Sequence, residues 1–104
     1  MKNKEQKIKL NLGKVVITTG ALTFARGSYD CAGLVPAELI EKILNRHRNG
    51  DWGDISEEEK RNNEIALETG ERIISVYKIN DYTKIWVITE GDRSTTTVLL
   101  ADEY

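Results

Sequence analysis

The sequence predicts an α+β fold: an antiparallel sheet of about four to five strands, with two helices set between its N-terminal and C-terminal strands. Three observations carry this expectation. The last third holds three β-branched and aromatic runs, "ERIISVYKI" (71–79), "TKIWVITE" (83–90) and "RSTTTVLL" (93–100), separated by "NDY" and "GD". The middle of the chain has two stretches of helical character, each bounded by start and stop residues. Near the start, alternating and β-branched residues read as a strand or hairpin. No repeat, low-complexity tract or Pro/Gly/Ser linker divides the 104 residues, so one domain is expected.

Taken in order, residues 7–12 alternate polar positions with Ile8, Leu10 and Leu12, which suits a half-buried strand. Gly13 interrupts it, and "KVVITT" (14–19) follows as a second strand able to pair with the first as a hairpin. Signals conflict over 20–34: "ALTFA" fits a short helix or a longer strand, while "RGSYDCAG" reads as loop through Gly27 and Gly33. Pro36 then opens a helix over about 36–48, since its fixed φ and missing N–H suit a first helical turn. Leu39, Ile40, Ile43, Leu44 and His47 form one stripe, Arg46, His47 and Arg48 complement the dipole of the last turn, and Asn49-Gly50 ends it.

Ser56 and Glu59 have the spacing of a capping box, and Glu57, Glu58 and Glu59 place anions at the start of a second helix over about 57–69, which Gly70 stops. Its apolar face is thin, with Ile55, Ile65, Ala66 and Leu67, so it is expected at the surface, touching the core through its C-terminal half. In the strand that follows the first C-terminal turn, Ile85 and Val87 face one way while Trp86 and Ile88 face the other. A central strand apolar on both sides is either covered twice or leaves one side as a binding surface.

Composition narrows the function classes. With 39% hydrophobic and 31% charged residues, and no apolar run of about 18 residues, no membrane span is expected. The basic start "MKNKEQKIKLNLGK" has no apolar stretch after it, so no secretory signal is expected. A lone cysteine, Cys31, can form neither an internal disulfide nor a cysteine metal cluster. The resulting expectation is a soluble cytoplasmic protein without cofactor. A net charge of −2 makes nucleic acid a poor default partner. Lys2, Lys4, Lys7, Lys9 and Lys14 still give the N-terminal segment a basic character through which nucleic acid could be touched.

The chemistry-bearing residues concentrate in "NRHRNGDWGDISEEEKRNNE" (45–64). His47, the only histidine, lies on the apolar stripe of its helix, which points to a half-buried ring using one nitrogen for a local hydrogen bond. With Asp51 and Asp54 it makes an H-x3-D-x2-D spacing that matches no established metal pattern. Caps and dipole compensation account for Asp54, Ser56 and the three glutamates without catalysis. No P-loop, G-x-S-x-G, H-E-x-x-H or G-x-G-x-x-G occurs, so neither an enzyme nor a metal site is expected. Trp52, between two glycines, is either a core staple or a partly exposed anchor grouped with Arg46, Arg48 and Asp51, the composition favoured at interaction hot spots. The turn carrying Glu90, Asp92 and Arg93 is either a solvated hairpin tip or a polar recognition edge.

"GKVVITTGAL" (13–22), "RHRNGDWGDISEEEKRNNEIAL" (46–67), "GERIISVYKI" (70–79) and "KIWVITEGDRSTTTVLLADEY" (84–104) resemble a family of small plasmid- and phage-borne bacterial proteins of unknown function. Its members share a G-D-W-G-D core and a K-I-W-x-I-T-E-x-D-R-S-x-T-T-x-L-L end, and are often labelled plasmid-related proteins. Ala101 stands here where that family has proline, and 23–35 is irregular where it has a shorter helical segment. The resemblance implies a mobile-element setting, in which small acidic proteins often act by binding. The function expected is a non-catalytic protein-binding module of a mobile genetic element that inhibits a host defence nuclease, of the anti-restriction or anti-CRISPR type. Its partner would be a host or mobile-element protein, met through Arg46, Arg48, Asp51, Trp52, Glu57, Glu58, Glu64, Glu90, Asp92 and Arg93. The alternative is an accessory nucleic-acid binder using the N-terminal lysines and the Arg46–Arg48 corner.

Overall fold

The computed structural model describes residues 10–26 and 36–104. In chain order these form β1 (Lys14–Ile17), α1 (Thr19–Arg26), α2 (Pro36–Arg48), α3 (Glu57–Thr69), β2 (Ile73–Asn80), β3 (Thr83–Thr89) and β4 (Thr95–Leu100), followed by a 3-10 turn, Ala101–Glu103. The α+β class and both helices 36–48 and 57–69 are as the sequence indicates. The sheet, in the order β1-β4-β3-β2, is mixed rather than antiparallel throughout. The three C-terminal strands are an antiparallel meander, while β1 lies parallel to β4, with Lys14 opposite Thr95 and Ile17 opposite Val98.

Of the two N-terminal alternatives, strand or hairpin, the described residues show a single strand, β1. Leu10 and Leu12 are buried as the alternation requires, but what covers them is not a strand. They pack with Trp52, Ala66 and Ile73, and the Leu10 amide donates to the Arg48 carbonyl at the end of α2 (2.9 Å). Burial on alternate residues thus arises from a segment threaded between a helix end and the sheet. The start of the expected first strand, 7–9, lies outside the described residues. The "KVVITT" strand is also shorter than expected, because Thr18 turns the chain into α1: its hydroxyl accepts from the Ala21 amide (3.1 Å), as an N-cap does. "ALTFA" is therefore helical, and 27–35, with Cys31, falls outside the described residues.

Helices α1 and α2 cover one face of the sheet. Ala21, Ile40 and Ile43 pack on Tyr77, Ile85, Val87 and Val98, which share that face by the strand register. Helix α3 lies along the outer edge of β2 instead. The reason is legible in three successive outward-facing peptide units. The Asn63 carboxamide donates to the Ile74 carbonyl (2.9 Å) and accepts from the Ile74 amide (3.3 Å). Two residues on, the Val76 amide donates to the Trp52 carbonyl (3.2 Å) and the Asp54 amide to the Val76 carbonyl (2.6 Å). Two further on, the Lys78 amide donates to the Asp54 carboxylate (2.8 Å). One buried asparagine and the "DWGD" corner replace a fifth strand and close an edge that would otherwise invite pairing. Gly53 touches this edge with φ +79°, and a Cβ there would overlap the Val76 carbonyl. No helix among the described residues is long and apolar enough to cross a membrane.

Asn63 is 5% exposed, whereas its neighbour Asn62 faces solvent. Asn63→Ala strips two backbone groups of partners at once and is expected to destabilise by about 2–4 kcal/mol in urea unfolding, while Asn62→Ala should stay within about 0.5 kcal/mol. Equal midpoints for the two variants would refute the edge-closing role.

Candidate functional site

The corner between α2 and α3 is built from the helix ends inward. Gly50, at φ 85°, ends α2 with a paired closure: its amide donates to the His47 carbonyl (3.2 Å) and the Asp51 amide to the Arg46 carbonyl (2.8 Å). Asp51 then holds the Arg46 guanidinium (2.8 and 3.3 Å) and accepts from the Gly53 amide (3.2 Å). The hydrogen bond from Arg46 keeps the Asp51 carboxyl below its usual range, and Arg46 is raised by the same contact. Arg46 lies 4.7 Å over the ring of Tyr77, whose hydroxyl donates to the Asp51 carbonyl (2.6 Å). Burial pushes that phenol up. On the other side of the corner, Ser56 and Glu59 form the expected capping box (3.1 and 2.9 Å).

Trp52 is the plug of this corner and not an exposed anchor. It is 3% exposed, its indole N–H donates to Glu64 (2.9 Å), and its ring meets His47 edge to face at 5.8 Å. Its place among the binding residues is corrected accordingly, and Glu64 is the acceptor that seats it. His47 is completely buried and uses both nitrogens, where one was expected: Nδ1 is 2.6 Å from the Ser75 hydroxyl and Nε2 2.9 Å from that of Thr89. Thr89 lies 2.7 Å from Thr96, whose hydroxyl donates to the Leu12 carbonyl (2.7 Å). That carbonyl can only accept, so the order of protons along the chain is set from its end. Thr96 gives its proton to Leu12, Thr89 to Thr96, Nε2–H to Thr89, and Ser75 donates to a bare Nδ1. Ser75 and His47 have the spacing of a nucleophile and its base, but both are fully buried, so no substrate reaches them in this conformation.

The other residues expected at a binding face divide. Arg93, at φ 63°, turns its guanidinium onto four carbonyls: Glu71 (2.7 Å), Ala66 (2.8 Å), Glu90 (3.1 Å) and Gly91 (3.2 Å). It clamps the C-terminus of α3 to the β3–β4 turn, where positive charge is favoured. Asp92 caps the same turn through the Ser94 amide (3.0 Å), and Glu90 pairs with Arg72 (3.4 Å). Arg48 is exposed and reaches Asn45 (3.3 Å). Glu57 and Glu58 project from the first turn of α3, Glu57 lying 3.6 Å from Lys60. The structure therefore separates the proposed set into a corner, a turn clamp and an acidic helix start, which do not converge on one point.

What does converge is a groove of about 630 Å³ between α3 and the second face of the sheet. Ile55 and Ile65 stand on the helix side, and Ile74, Val76 and Trp86 on the strand side. Ile65 is 53% exposed, although its helix has few apolar residues to leave in water. The Trp86 indole N–H is buried with no acceptor among the described residues. A second concavity of the same volume runs along the exposed side of α2 past Arg46 and Asp51, but polar and charged side chains line it and those two are paired with each other. The sequence signal for the groove was the double-sided apolar pattern of β3; its helix wall carried none. Among the described residues no three His, Cys, Asp or Glu side chains gather around a metal-sized site. Comparison with known protein families, characterised proteins and solved structures finds no match.

Two outcomes test the corner. Trp52→Ala is expected to destabilise by about 3–5 kcal/mol, the range for losing a large core aromatic. For His47, burial lowers the imidazole from 6.5 to about 4. Above pH 6.5 the ring is neutral folded or unfolded. As the pH falls from 6.5 towards 4, the unfolded chain takes up a proton that the folded chain refuses. Stability is therefore lost across that window, by about 3 kcal/mol in all. His47→Gln should remove this component, so urea midpoints at pH 7 and pH 4.5 should differ less in the variant than in the parent; parallel pH profiles would rule it out.

Proposed function

We propose that this chain is a non-catalytic protein-binding module of a mobile genetic element, acting in the cytoplasm as an inhibitor of a host defence nuclease. The observation that carries the reading is the groove beside α3: an apolar floor and an exposed isoleucine, bordered by the acidic helix start. Apolar surface left open beside charged residues is how soluble proteins present a partner site. The acidic side of the same helix is complementary to a basic nucleic-acid channel, which gives the reading its partner class. The mobile-element setting is supported by the resemblance of the G-D-W-G-D and K-I-W-V-I-T-E segments. His47 supports the non-catalytic part, because the only imidazole is sealed in a structural chain of hydroxyls.

Charge reversal is the direct test, with one adjustment. Glu64 seats the Trp52 indole, so reversing it would mix folding with binding. Glu57, Glu58 and Glu68 are exposed and serve instead. The triple lysine variant, shown folded by circular dichroism, is expected to bind the partner purified from the host at least about tenfold more weakly. Unchanged affinity would overturn the acidic-helix reading. Gel shifts with DNA and RNA at low and moderate salt should show none; a shift that fades steeply with salt would point instead to an accessory nucleic-acid binder.

A further inference from the structure

Trp86 stands at the middle of β3 on the groove floor, and the ring of Tyr104 lies on it, centroids 4.5 Å apart and planes tilted by 35°. Tyr104 is itself 63% exposed. The strip that carries it is the 3-10 turn, whose Ala101 lines the groove. Among the described residues its side-chain tether is the Glu103 carboxylate, which accepts from the Thr18 hydroxyl (2.6 Å), the Leu100 amide (2.9 Å) and the Gly20 amide. The closed arrangement is thus incomplete. It gains an aromatic stack, yet leaves the buried Trp86 N–H without an acceptor among the described residues. An exposed ring on a short strip opens at far less cost than a core side chain.

We propose that Tyr104 is a lid on the Trp86 end of the α3 groove. The occupant it yields to is a lysine- or arginine-rich segment of a partner protein, bearing one large apolar side chain. This rests on the protein-binding reading above and adds how the site is gated and what fills it. The apolar side chain takes the place of the tyrosine ring against Trp86, in the groove that Ile65 and Ile74 also line, and a carbonyl oxygen of the segment accepts the indole N–H. The basic character follows from the groove's borders, where Asp54, Glu59 and Glu71 lie and where Arg72 is already paired with Glu90. Lys84 also lines the groove, so the carboxylates outnumber the one cation without a partner carboxylate there, and an arriving cation meets net negative charge.

The two indole N–H signals in a 15N-correlated NMR spectrum make the test internally controlled. In Tyr104→Ala, exchange of the Trp86 N–H with water should accelerate, and Glu103→Gln should move it the same way by less. The Trp52 N–H, bonded to Glu64, should not change. As a ligand probe, a short synthetic lysine-rich peptide with one central leucine should bind Tyr104→Ala about tenfold more tightly than the parent, the gain when a site open a tenth of the time becomes always open. The same peptide with serine for leucine should lose that gain. Equal affinity for parent and variant, or unaltered Trp86 exchange, overturns the lid. Binding to neither overturns the basic–apolar occupant. If the lid fails while reversal of Glu57, Glu58 and Glu68 still abolishes partner binding, the protein-binding reading stands without it.

Discussion

Ile74, Val76 and Lys78 turn peptide groups toward the outer edge of β2, and most of the molecule's layout follows from how those groups are satisfied. A strand would have met them all; this chain meets them with a side-chain amide, a peptide pair and a carboxylate. Because Asn63 must reach Ile74, α3 is drawn alongside the sheet rather than over it. Because the 52–54 peptides must lie against Val76, α2 has to end where it does and Trp52 is carried inward. The groove is a by-product of the same constraint, since a helix held at an edge leaves the neighbouring sheet face incompletely covered.

The buried hydroxyl chain through His47 has a different task. It links α2 to β2, β3 and β4 and ends on the Leu12 carbonyl, so one imidazole fixes a helix, three strands and the entering segment in a single arrangement. Such networks add specificity when every member is satisfied, and here each hydroxyl and both nitrogens are. The same completeness removes the ring from solvent chemistry.

The elements whose boundaries were legible are those with local signals. Ser56, Glu59 and Gly70 act within a few residues of α3, as do Gly50 for α2 and the turn residues of the meander, and their chemistry does not depend on the rest of the fold. What escaped the sequence depends on distant partners. Leu10 and Leu12 have a strand's alternation, and only the position of α2 decides that they thread past a helix end. Arg93 looks like a surface charge until the C-terminal carbonyls of α3 are placed beside it. Asn63 reads as a weak helix former, and its value lies in an edge eleven residues away. The groove was half legible, through Trp86 and Ile88 opposing Ile85 and Val87, because strand periodicity shows which faces are apolar but not which one is left open.

Parallel pairing of β1 with β4 has a consequence for synthesis. Residues 14–17 leave the ribosome long before 95–98, their only strand partners among the described residues, where no local hairpin offers them an interim match. Contacts of such long sequence separation form late, after the loop between them has closed. The β2–β3–β4 meander can assemble among neighbours, whereas β1, with Val15 and Val16 on it, must wait as an unpaired β-branched segment. Its exposure to chaperones, proteases and other nascent chains is therefore set by the elongation rate over the intervening sequence.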